Sequence, residues 1–497
     1  MSLVLGVDVG SQSIKAVLVD EAGDVVATGS AALRMTHEHD GWAEQDPQTY
    51  CTALRDAVRA ATAGIEPTRV VAMGLGSQVD GIVACDADGE PLRPAIIWLD
   101  KRATEQCERL VAAVGEDLLA ERTGLVADAS HSAPKMMWIR DHEPPVWQRT
   151  ATLAPVGSYV LHHLTGCHAQ DAANASSTMV YDVTRGHFDE FLCRAAELDP
   201  AMFAPVRPST DVVGTVRPDV ASELGLPASC AVVVGTGDEH AASVGAGAIE
   251  AGVVVDVTGT AEPVTTVSAV PVRDELGLVE THGHAVPGAW LIENPGFVSG
   301  GSTLWLAGLL GVPQTEIFPL ALTAPPASEG VLFLPALSGA TAPRWNDRMR
   351  GALLGLAMNH TPANLARAVL EGCAFALRDI VDRLDALGLG QGEVRIVGGG
   401  ARDDLWAMIK ASVLGRPVRR VLTEEATAVG AAMVAGVGTG FFADFTAASV
   451  AVRLAPAAID PDPDATKTYA DAYRRYLAAF DAVEGALAPH DLSARPT

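Results

Sequence analysis

Two turns in this sequence combine glycine with hydroxyl side chains, and each follows a β-rich run. In the first turn (residues 10–13), Asp8 precedes Gly10-Ser11 and Lys15 follows. The second turn (residues 258–261) begins Thr258-Gly259-Thr260. The free backbone N–H groups and hydroxyls of such turns suit phosphate oxygens. The sequence lacks a Walker loop and also a G-x-G-x-x-G that opens a helix after a strand. The two turns, one in each half, therefore predict two related domains that bind one nucleotide.

The residues around the first turn predict a metal and phosphate site. Asp8 stands near the carboxyl end of a predicted strand, where a carboxylate can organise Mg²⁺, through water. Ser11, Gln12 and Ser13 are expected to line the phosphates, and Lys15 to offset their charge. The alternative is a plain hairpin in which Asp8 only stabilises the turn.

Asp238 is the candidate general base. It follows Gly235-Thr236-Gly237 and stands where a predicted strand gives way to a helix, whose positive end favours the ionised carboxylate. That position suits a base that acts on a hydroxyl group, and the preceding glycines let a ligand approach the backbone closely. The alternative is an ordinary helix-capping aspartate. For His240 the preferred interpretation is a helix histidine with a satisfied hydrogen bond.

A third group of polar residues stands at other predicted strand ends. Gln78, Val79 and Asp80 follow one strand, and Trp98 and Asp100 follow another. An amide, carboxylates and an aromatic face suit a polyhydroxylated ligand. The alternatives are core packing for the tryptophan and a helix cap for Asp100.

A glycine triplet precedes a predicted helix in the second half. Gly398-Gly399-Gly400-Ala401 leaves room for a flat base or a phosphate against the backbone. The alternative is a tight turn between a strand and a helix. Glu262, His282 and His284 match no role, and metal binding by the two histidines is a weak option.

Length and composition limit the classes of function. A chain of 497 residues is expected to form two or three domains. The net charge of −26 argues against nucleic acid or an anionic membrane as the main partner. Seven cysteines, an odd number without Cys-x-x-Cys spacing, indicate a reduced, cytoplasmic protein. No signal peptide is visible at the N-terminus.

Hydrophobic periodicity predicts an α/β fold with a duplicated domain. Strands are expected at 3–9, 14–20, 24–32, 70–75, 82–85, 231–235, 252–258, 263–268, 277–284, 289–293 and 393–397. Helices are expected at 47–62, 101–114, 238–248, 300–310, 361–387, 402–414 and 467–488. Three successive strands followed by alternating helices and strands occur in both halves.

Together these motifs resemble the FGGY carbohydrate kinases, most closely their xylulokinase branch. Besides the two turns, the resemblance rests on Gly41-Trp42-Ala43-Glu44-Gln45-Asp46-Pro47, Trp98-Leu99-Asp100-Lys101-Arg102, Gly237-Asp238 and Gly398-Gly399-Gly400-Ala401, which occur in order over nearly the whole chain. The resemblance implies two actin-like (ribonuclease H-like) ATPase domains with a cleft between them. We assign residues 1–247 to the sugar-binding domain and residues 248–497 to the nucleotide-binding domain.

The resemblance also implies a role for each matching residue. Asp238 corresponds to the catalytic base and Asp8 to the acidic residue near Mg²⁺. Val79 and Asp80 fall at the sugar-contacting pair, and we add Gln78, Trp98, Asp100 and Glu239 to the expected sugar site. The residues expected to bind ATP are Ser11, Gln12, Ser13, Lys15, Gly259, Thr260, Ala261, Gly300, Gly400, Ala401 and Asp404.

The identity of the sugar stays open at this point. Xylulokinases usually carry Met-His at the sugar-contacting pair and glycerol kinases carry Arg-Glu, whereas this chain has Val79-Asp80. We expect D-xylulose or a related ketose as substrate, with ribulose or a polyol such as erythritol, glycerol or xylitol as the alternative. A non-catalytic actin-like ATP sensor is the alternative from another class. A homodimer is common in the family.

Overall fold

The computed structural model describes residues 1–39, 41–340, 344–346 and 349–487. These residues form two compact units. The first unit contains 1–251, 267–292 and 423–453, and the second contains the described residues of 252–266, 293–422 and 454–487. Each unit therefore combines segments that are distant in the sequence.

The strands and helices alternate along the chain, as expected for an α/β protein. The strands are β1 Leu3–Val9, β2 Ser13–Asp20, β3 Val25–Ala32, β4 Glu44–Gln45, β5 Val70–Ser77, β6 Ile82–Cys85, β7 Ala95–Ile96, β8 Thr152–Pro155, β9 Tyr181–Asp182, β10 His187–Phe188, β11 Val212–Thr215, β12 Ala231–Val233, β13 Thr236–Gly237, β14 Val253–Val257, β15 Val264–Ser268, β16 Glu280–Gly283, β17 Trp290–Asn294, β18 Leu332–Leu334, β19 Ala352–Leu354, β20 Glu393–Val397 and β21 Val418–Arg420. The α-helices are α1 Pro47–Ala61, α2 Thr104–Val114, α3 Glu116–Thr123, α4 Ser132–His142, α5 Pro144–Trp147, α6 Val156–Thr165, α7 Ala172–Ser176, α8 Glu190–Ala196, α9 Pro218–Leu224, α10 Asp238–Gly245, α11 Gly300–Leu310, α12 Ile317–Leu322, α13 Pro362–Ala386, α14 Asp404–Leu414, α15 Ala426–Gly438, α16 Phe445–Ala448 and α17 Pro463–Leu487.

A mixed sheet forms the centre of the first unit. Its strands pair in the order β11-β12-β5-β1-β2-β3, and β13 pairs with β5 beside β12. β1, β2 and β3 form antiparallel hairpins, whereas β5 runs parallel to β1, β12 and β13. The apolar side chains of β1 and β5 are almost fully buried. A smaller sheet of order β4-β7-β6-β8 belongs to the same unit.

Helix α15 packs directly against the backbone of this sheet. A Cβ atom on Gly6 of β1 would lie 1.8 Å from the Ala428 carbonyl oxygen, and one on Gly74 of β5 would lie 2.3 Å from that of Ala431. Only glycine permits so close an approach. The helix consists mostly of small apolar residues. It therefore lacks the polar face that makes a surface helix recognisable in a sequence.

The second unit has its own sheet. β14 pairs antiparallel with β15 and parallel with β20, which pairs in turn with β21. Helices α13 and α17 pack through aromatic rings: Phe375 lies within 6.0 Å of the rings of Tyr469, Tyr473 and Tyr476, measured between ring centroids. These rings anchor the last described helix on the core of the unit.

Most predicted elements occur near their predicted positions, and the differences are at element ends. The predicted helix 402–414 is a short 3₁₀ turn, Gly400–Arg402, followed by α14. The two are separate because the Asp403 side chain accepts a hydrogen bond from the Trp406 backbone N at 2.9 Å and caps α14. The predicted strand 277–284 is shorter in the structure, where β16 covers Glu280–Gly283.

Within the described part of the chain, no helix combines the length and the apolar character needed to cross a membrane.

Candidate active site

Three parallel strands of the first unit end side by side. β1 pairs with β5 so that Asp8 lies opposite Gly76. β13 also pairs with β5, and Gly237 lies opposite Ser77. Asp238 and Gln78 follow these two residues directly. Ligands of open α/β sheets bind outside the carboxyl ends of the strands. The structure thus brings Asp8, Gln78 and Asp238 to one edge of the sheet.

Asp238 lies at the start of α10, as predicted, but it does not cap the helix. Gly237 occupies the N-cap position, so the alternative interpretation of a capping aspartate is wrong. The Asp238 Oδ1 accepts a hydrogen bond from the Glu239 backbone N at 2.9 Å. Burial raises the pKa of Asp238 well above its ordinary value, and the neighbouring charges of Glu239 and Asp8 raise it further. The raised pKa makes its carboxylate a stronger base.

Lys15 faces Asp8 across the hairpin that carries the first turn. The two residues are cross-strand partners. The Lys15 Nζ donates to Glu425 Oε2 at 2.8 Å, just before α15. Burial raises the pKa of Asp8 to about 7, Lys15 lowers it and Glu425 raises it. A cation bound close to Asp8 and Glu425 would be stabilised by their carboxylates.

The first turn is joined to the predicted sugar site by a buried glutamine. The Gln45 Nε2 donates to the Ser11 carbonyl oxygen at 2.8 Å, and its Oε1 accepts from Gln78 Nε2 at 3.0 Å and from the Tyr50 hydroxyl at 2.9 Å. The Gln78 Oε1 is buried and has no hydrogen-bond partner among the described residues. Ser11 and Ser13 are half-buried, whereas Gln12 is exposed. Gln45 belongs to the Gly-Trp-Ala-Glu-Gln-Asp-Pro motif, which therefore positions both segments.

Val79 lies next to Gly237, the residue before Asp238. A Cβ atom on Gly237 would lie 2.6 Å from Val79 Cγ1. Asp80 has a φ of 61°, in the left-handed region that non-glycine residues rarely adopt. Its Oδ1 accepts from His131 Nδ1 at 3.2 Å, and its carbonyl oxygen accepts from Lys135 Nζ at 2.9 Å.

Trp98 and Asp100 differ in their surroundings. The Trp98 residue is 42% exposed, so its interpretation as core packing is wrong. Asp100 is fully buried, and its carboxylate accepts from the Arg102 guanidinium at 2.7 Å and from the Ala43 backbone N at 2.6 Å. Arg102 also lies 3.6 Å above the Trp42 ring. The contacts of Asp100 are thus structural, and they explain why its motif and the Trp42 motif occur together.

The second unit brings most of the other predicted ATP-binding residues together around the second turn. The Gly300 backbone N donates to the Gly259 carbonyl oxygen at 2.9 Å, and the Gly400 backbone N donates to that of Thr258 at 3.1 Å. A Cβ atom on Gly400 would lie 2.6 Å from Thr258 Cγ2. Thr260 and Ala261 are exposed. The turn, the start of α11 and the glycine triplet are therefore neighbours in space.

Ala401 and Asp404 lie at the end of this group. Ala401 is buried, and its carbonyl oxygen accepts from Arg420 Nε at 2.7 Å. Asp404 is the exposed first residue of α14, and its carboxylate pairs with the same arginine at 2.8 Å.

A buried charged triad lies beneath the second turn. The Lys410 Nζ is 2.6 Å from Asp256 Oδ2, 2.6 Å from Thr258 Oγ1 and 3.0 Å from Glu262 Oε1. The Ser299 hydroxyl donates to the other oxygen of Glu262. Burial and the neighbouring Asp256 raise the pKa of Glu262 to about 8, and Lys410 lowers it. The triad explains the position of Glu262, which matched no role in the sequence analysis.

The two other unassigned histidines do not form a metal site. The His282 Nδ1 lies 3.4 Å from the Ser176 hydroxyl, and the His284 Nδ1 accepts from the Val286 backbone N at 2.9 Å. Burial lowers the pKa of His284 to about 4. Across the described ranges, no three His, Cys, Asp or Glu side chains are grouped so that they could hold a metal ion. A cation beside Asp8 would therefore need water or phosphate oxygens as further ligands.

Sequence reasoning missed several charged residues of these groups, among them Glu425, His131 and Lys410. Glu425 and His131 stand in segments without a recognisable motif. Lys410 gave a signal, because it is the one charged residue in the apolar run 405–413. A charge at such a position indicates a buried partner.

Both halves of the chain are similar to known proteins. Residues 3–245 match the N-terminal domain of the FGGY family of carbohydrate kinases, and residues 255–439 match its C-terminal domain. The chain is 31% identical over 435 residues to a xylulose kinase of Escherichia coli K12, covering 87% of this chain and 89% of the relative. It is 36% identical over 457 residues to a glycerol kinase of Thermus brockianus, covering 88% and 90%.

Solved structures show the same fold. A xylulose kinase from Rhodospirillum rubrum matches with a TM-score of 0.90 and 29% identity, over 98% of this chain and 100% of that chain. A ligand-bound xylulose kinase from Lactobacillus acidophilus matches with a TM-score of 0.91 at 22% identity, over 98% and 99%. These neighbours confirm the predicted α/β class with two actin-like domains. The chain therefore belongs to the FGGY family of carbohydrate kinases, enzymes that transfer a phosphoryl group from ATP to a sugar.

Proposed function

We propose that this kinase phosphorylates D-xylulose or a related ketose, with Asp238 as the general base. The observation that carries the proposal is the shared strand edge of the first unit, where Asp8, Gln78 and Asp238 follow neighbouring strand ends. Gln78 has a buried amide oxygen without a hydrogen-bond partner among the described residues, and Asp238 has a strongly raised pKa. The xylulose kinases among the relatives and solved structures support the choice of sugar.

The proposed reaction is a single in-line transfer. The Asp238 carboxylate takes the proton of the attacking sugar hydroxyl, whose oxygen forms a bond to the γ-phosphorus of ATP. The bond between that phosphorus and the bridging oxygen breaks, and ADP leaves. The Lys15 ammonium and the amides of the first turn offset the charge of the transferring group. Mg²⁺, held near Asp8, neutralises phosphate charge when bound.

For the nucleotide we propose two sets of contacts. Ser11, Gln12, Ser13 and Lys15 of the first unit bind phosphate oxygens. In the second unit, the backbone of the second turn and of Gly300 binds phosphate, and Gly400, Ala401 and Asp404 bind the nucleoside. Support comes from the hydrogen bonds that link the second turn to Gly300 and Gly400. The division into a sugar-binding domain, 1–247, and a nucleotide-binding domain, 248–497, belongs to the same proposal.

The remaining sugar contacts are proposed for Val79, Asp80, Trp98 and Glu239. Trp98 is exposed and can stack against a sugar face. Asp100 is the weakest member of the predicted set, because Arg102 and Ala43 already occupy its carboxylate.

Replacement of Asp238 tests the general base. Asp238→Asn keeps the size of the side chain but removes the base, and we expect kcat to fall by about 10²-fold or more. ADP binding, measured by calorimetry, should stay within about threefold of wild type, since Asp238 is not expected to touch the nucleoside. Asp56→Asn, an exposed change on α1, is the matched control and should leave kcat unchanged. Near-normal kcat in Asp238→Asn would contradict the assignment.

A polyol kinase is the second candidate. The relative with 36% identity is a glycerol kinase, and the family resemblance places the acid of glycerol kinases at the position of Asp80. A carboxylate accepts hydrogen bonds from hydroxyls of ketoses and polyols alike. Turnover of glycerol, erythritol or xylitol in preference to D-xylulose would favour this candidate.

We further propose that the enzyme acts in the cytoplasm, as a homodimer, on small molecules and without a nucleic-acid or membrane partner. The cysteine usage supports the cytoplasmic location, and the net charge of −26 argues against a nucleic-acid or anionic-membrane partner. Light scattering of the purified protein measures the oligomeric state, and a monomeric mass would contradict the dimer.

A further inference from the structure

His131 is buried in the first unit between two carboxylates. Its Nδ1 lies 3.2 Å from Asp80 Oδ1. Its Nε2 lies 3.2 Å from the Val126 carbonyl oxygen and 3.6 Å from Glu280 Oε1. Every one of these neighbours is an acceptor, so both ring nitrogens must donate. His131 is therefore an imidazolium cation held by Asp80 on one side and by Glu280 on the other.

The position of His131 is fixed by groups behind it. The Glu280 Oε1 also accepts from the Val126 backbone N at 3.0 Å, and its Oε2 lies 3.7 Å from His282 Nε2. Burial by itself would raise the pKa of Glu280, but His131 and His282 hold it at about 2. Burial would likewise lower the pKa of His131, but Asp80 and Glu280 hold it well above its ordinary value. Carboxylate and imidazole side chains thus alternate behind Asp80, in the order His131, Glu280, His282.

Asp80 needs such support because its backbone is strained. Its φ is 61°, and the Gly81 backbone N donates to the Val79 carbonyl oxygen at 2.7 Å across it. A hydrogen bond between residues two apart around a positive φ is a γ-turn of the rare, strained kind. Strained residues of this kind cluster at functional sites and persist only where their surroundings hold them. The Lys135 Nζ holds the Asp80 carbonyl oxygen at 2.9 Å, and His131 holds the side chain.

A helix-capping role does not explain His131. The residue occupies the N-cap position of α4, but its side chain makes no capping hydrogen bond. Its two nitrogens point instead to Asp80 and to the Val126–Glu280 side. Among the residues that the structure describes, only one oxygen of the Asp80 carboxylate has a side-chain partner. The other, Oδ2, is left for a ligand.

We propose that His131 is a positioning residue of the sugar site, which orients the Asp80 carboxylate so that its second oxygen accepts a sugar hydroxyl. The inference rests on the proposed function, because it needs a sugar beside Asp80. It adds a specificity determinant that lies 51 positions from Asp80 in the sequence. Because Nδ1 contacts only Asp80, one substitution can remove this contact and keep those of Nε2, and another can do the reverse.

The test compares two amide replacements of His131. Asn places its amide nitrogen near the position of Nδ1, whereas Gln places it near that of Nε2. His131→Gln should therefore lose the bond to Asp80 and raise the KM for D-xylulose about tenfold, with kcat and the KM for ATP within about threefold of wild type. His131→Asn should keep the KM for D-xylulose within about threefold. Glycerol is assayed in parallel as the polyol probe.

Two controls separate positioning from loss of stability. His284→Gln replaces another buried histidine of the same unit, which contacts Val286 instead of Asp80, and should leave the KM unchanged. Asp80→Asn and the double variant Asp80→Asn/His131→Gln should have the same KM, because a residue that acts only through Asp80 adds nothing once the carboxylate is gone. Thermal unfolding of every variant shows which of them are folded.

The outcomes are distinct. Equal KM values in wild type and His131→Gln, or additive effects in the double variant, would overturn the inference and leave the proposed function intact. If His131→Gln does not fold, Glu280→Gln serves instead, with an expected rise in KM of about threefold, and an unchanged KM overturns the inference. A wild-type enzyme that turns over neither D-xylulose nor glycerol would overturn both the proposed function and the inference.

Discussion

The two glycine-and-hydroxyl turns resemble each other in sequence, but the lysines near them differ in exposure and in their partners. Beside the first turn, the Lys15 side chain is 38% exposed and pairs with Glu425. Beneath the second turn, the Lys410 side chain is 2% exposed and bonds to Asp256, Glu262 and Thr258. The Lys15 ammonium is therefore accessible to a ligand, whereas the Lys410 ammonium is enclosed by protein.

We infer from this difference that the two lysines have separate functions. A buried ammonium is costly to desolvate and is stable only when its hydrogen bonds are satisfied. Lys410 meets this condition by joining the strand before the second turn to Thr258 within the turn. Burial and the neighbouring Asp256 raise the pKa of Glu262 to about 8, although Lys410 lowers it. Lys410 therefore stabilises the second turn, whereas for Lys15 we propose a role in countering phosphate charge.

Removal of the buried lysine should produce the largest effect. Lys410→Met leaves Asp256 and Glu262 buried without their cation, and we expect a loss of about 3–5 kcal/mol in the free energy of unfolding. Urea denaturation followed by tryptophan fluorescence measures this loss. Addition of Glu262→Gln should recover part of it, because one orphaned carboxylate is then removed. A loss below about 1 kcal/mol in the single variant would show that Lys410 is not a structural ion.

Removal of the half-exposed lysine should act on catalysis instead. Lys15→Met removes the charge that we propose to face the transferring phosphoryl group, and we expect kcat to fall about 10²-fold. The free energy of unfolding should change by no more than about 1 kcal/mol, since half-exposed ion pairs contribute little. Steady-state kinetics and denaturation test the two statements, with the exposed Lys467→Met as control. A large loss of stability with normal kcat would reverse the contrast between the two lysines.

The partner of Lys15 should show the smallest effect. Glu425→Gln removes one charge of a pair whose side chains are 38% and 32% exposed. We expect a change in the free energy of unfolding of less than about 1 kcal/mol, and a smaller one at high salt because solvent ions screen the pair. Denaturation at low and high salt measures it. A change of several kcal/mol would mean that the Lys15–Glu425 pair is as structural as the Lys410 triad.

The sequence was sufficient to predict those parts of the fold that depend on local pattern. The β1–β2–β3 hairpins alternate with clear turns, and α13 has an apolar stripe on one side, so both were predicted near their observed ends. Helix α15 was missed because it is small and apolar on every face. Its importance becomes visible only where it meets Gly6 and Gly74 of the sheet. Long-range packing of this kind leaves little trace in a single local segment.

The same distinction applies to the candidate site. Asp8, Lys15 and Asp238 stand beside glycine turns that marked them in the sequence. Their partners could not be predicted from the sequence. Lys15 and Glu425, for example, are 410 positions apart, so no local spacing indicates that they pair. Asp100 shows the converse. Its motif was recognised, but its carboxylate makes structural contacts that only the folded chain reveals.

The central claim is that this protein phosphorylates a neutral ketose with Asp238 as base. The most direct measurement is coupled ADP release with ATP and Mg²⁺ over a panel of D-xylulose, ribulose, glycerol, erythritol and xylitol, for wild type and Asp238→Asn. We predict that D-xylulose or ribulose stimulates ADP release most strongly in the wild type, and that the stimulation disappears in Asp238→Asn. ADP release that no member of the panel raises, or that survives in Asp238→Asn, would contradict the claim.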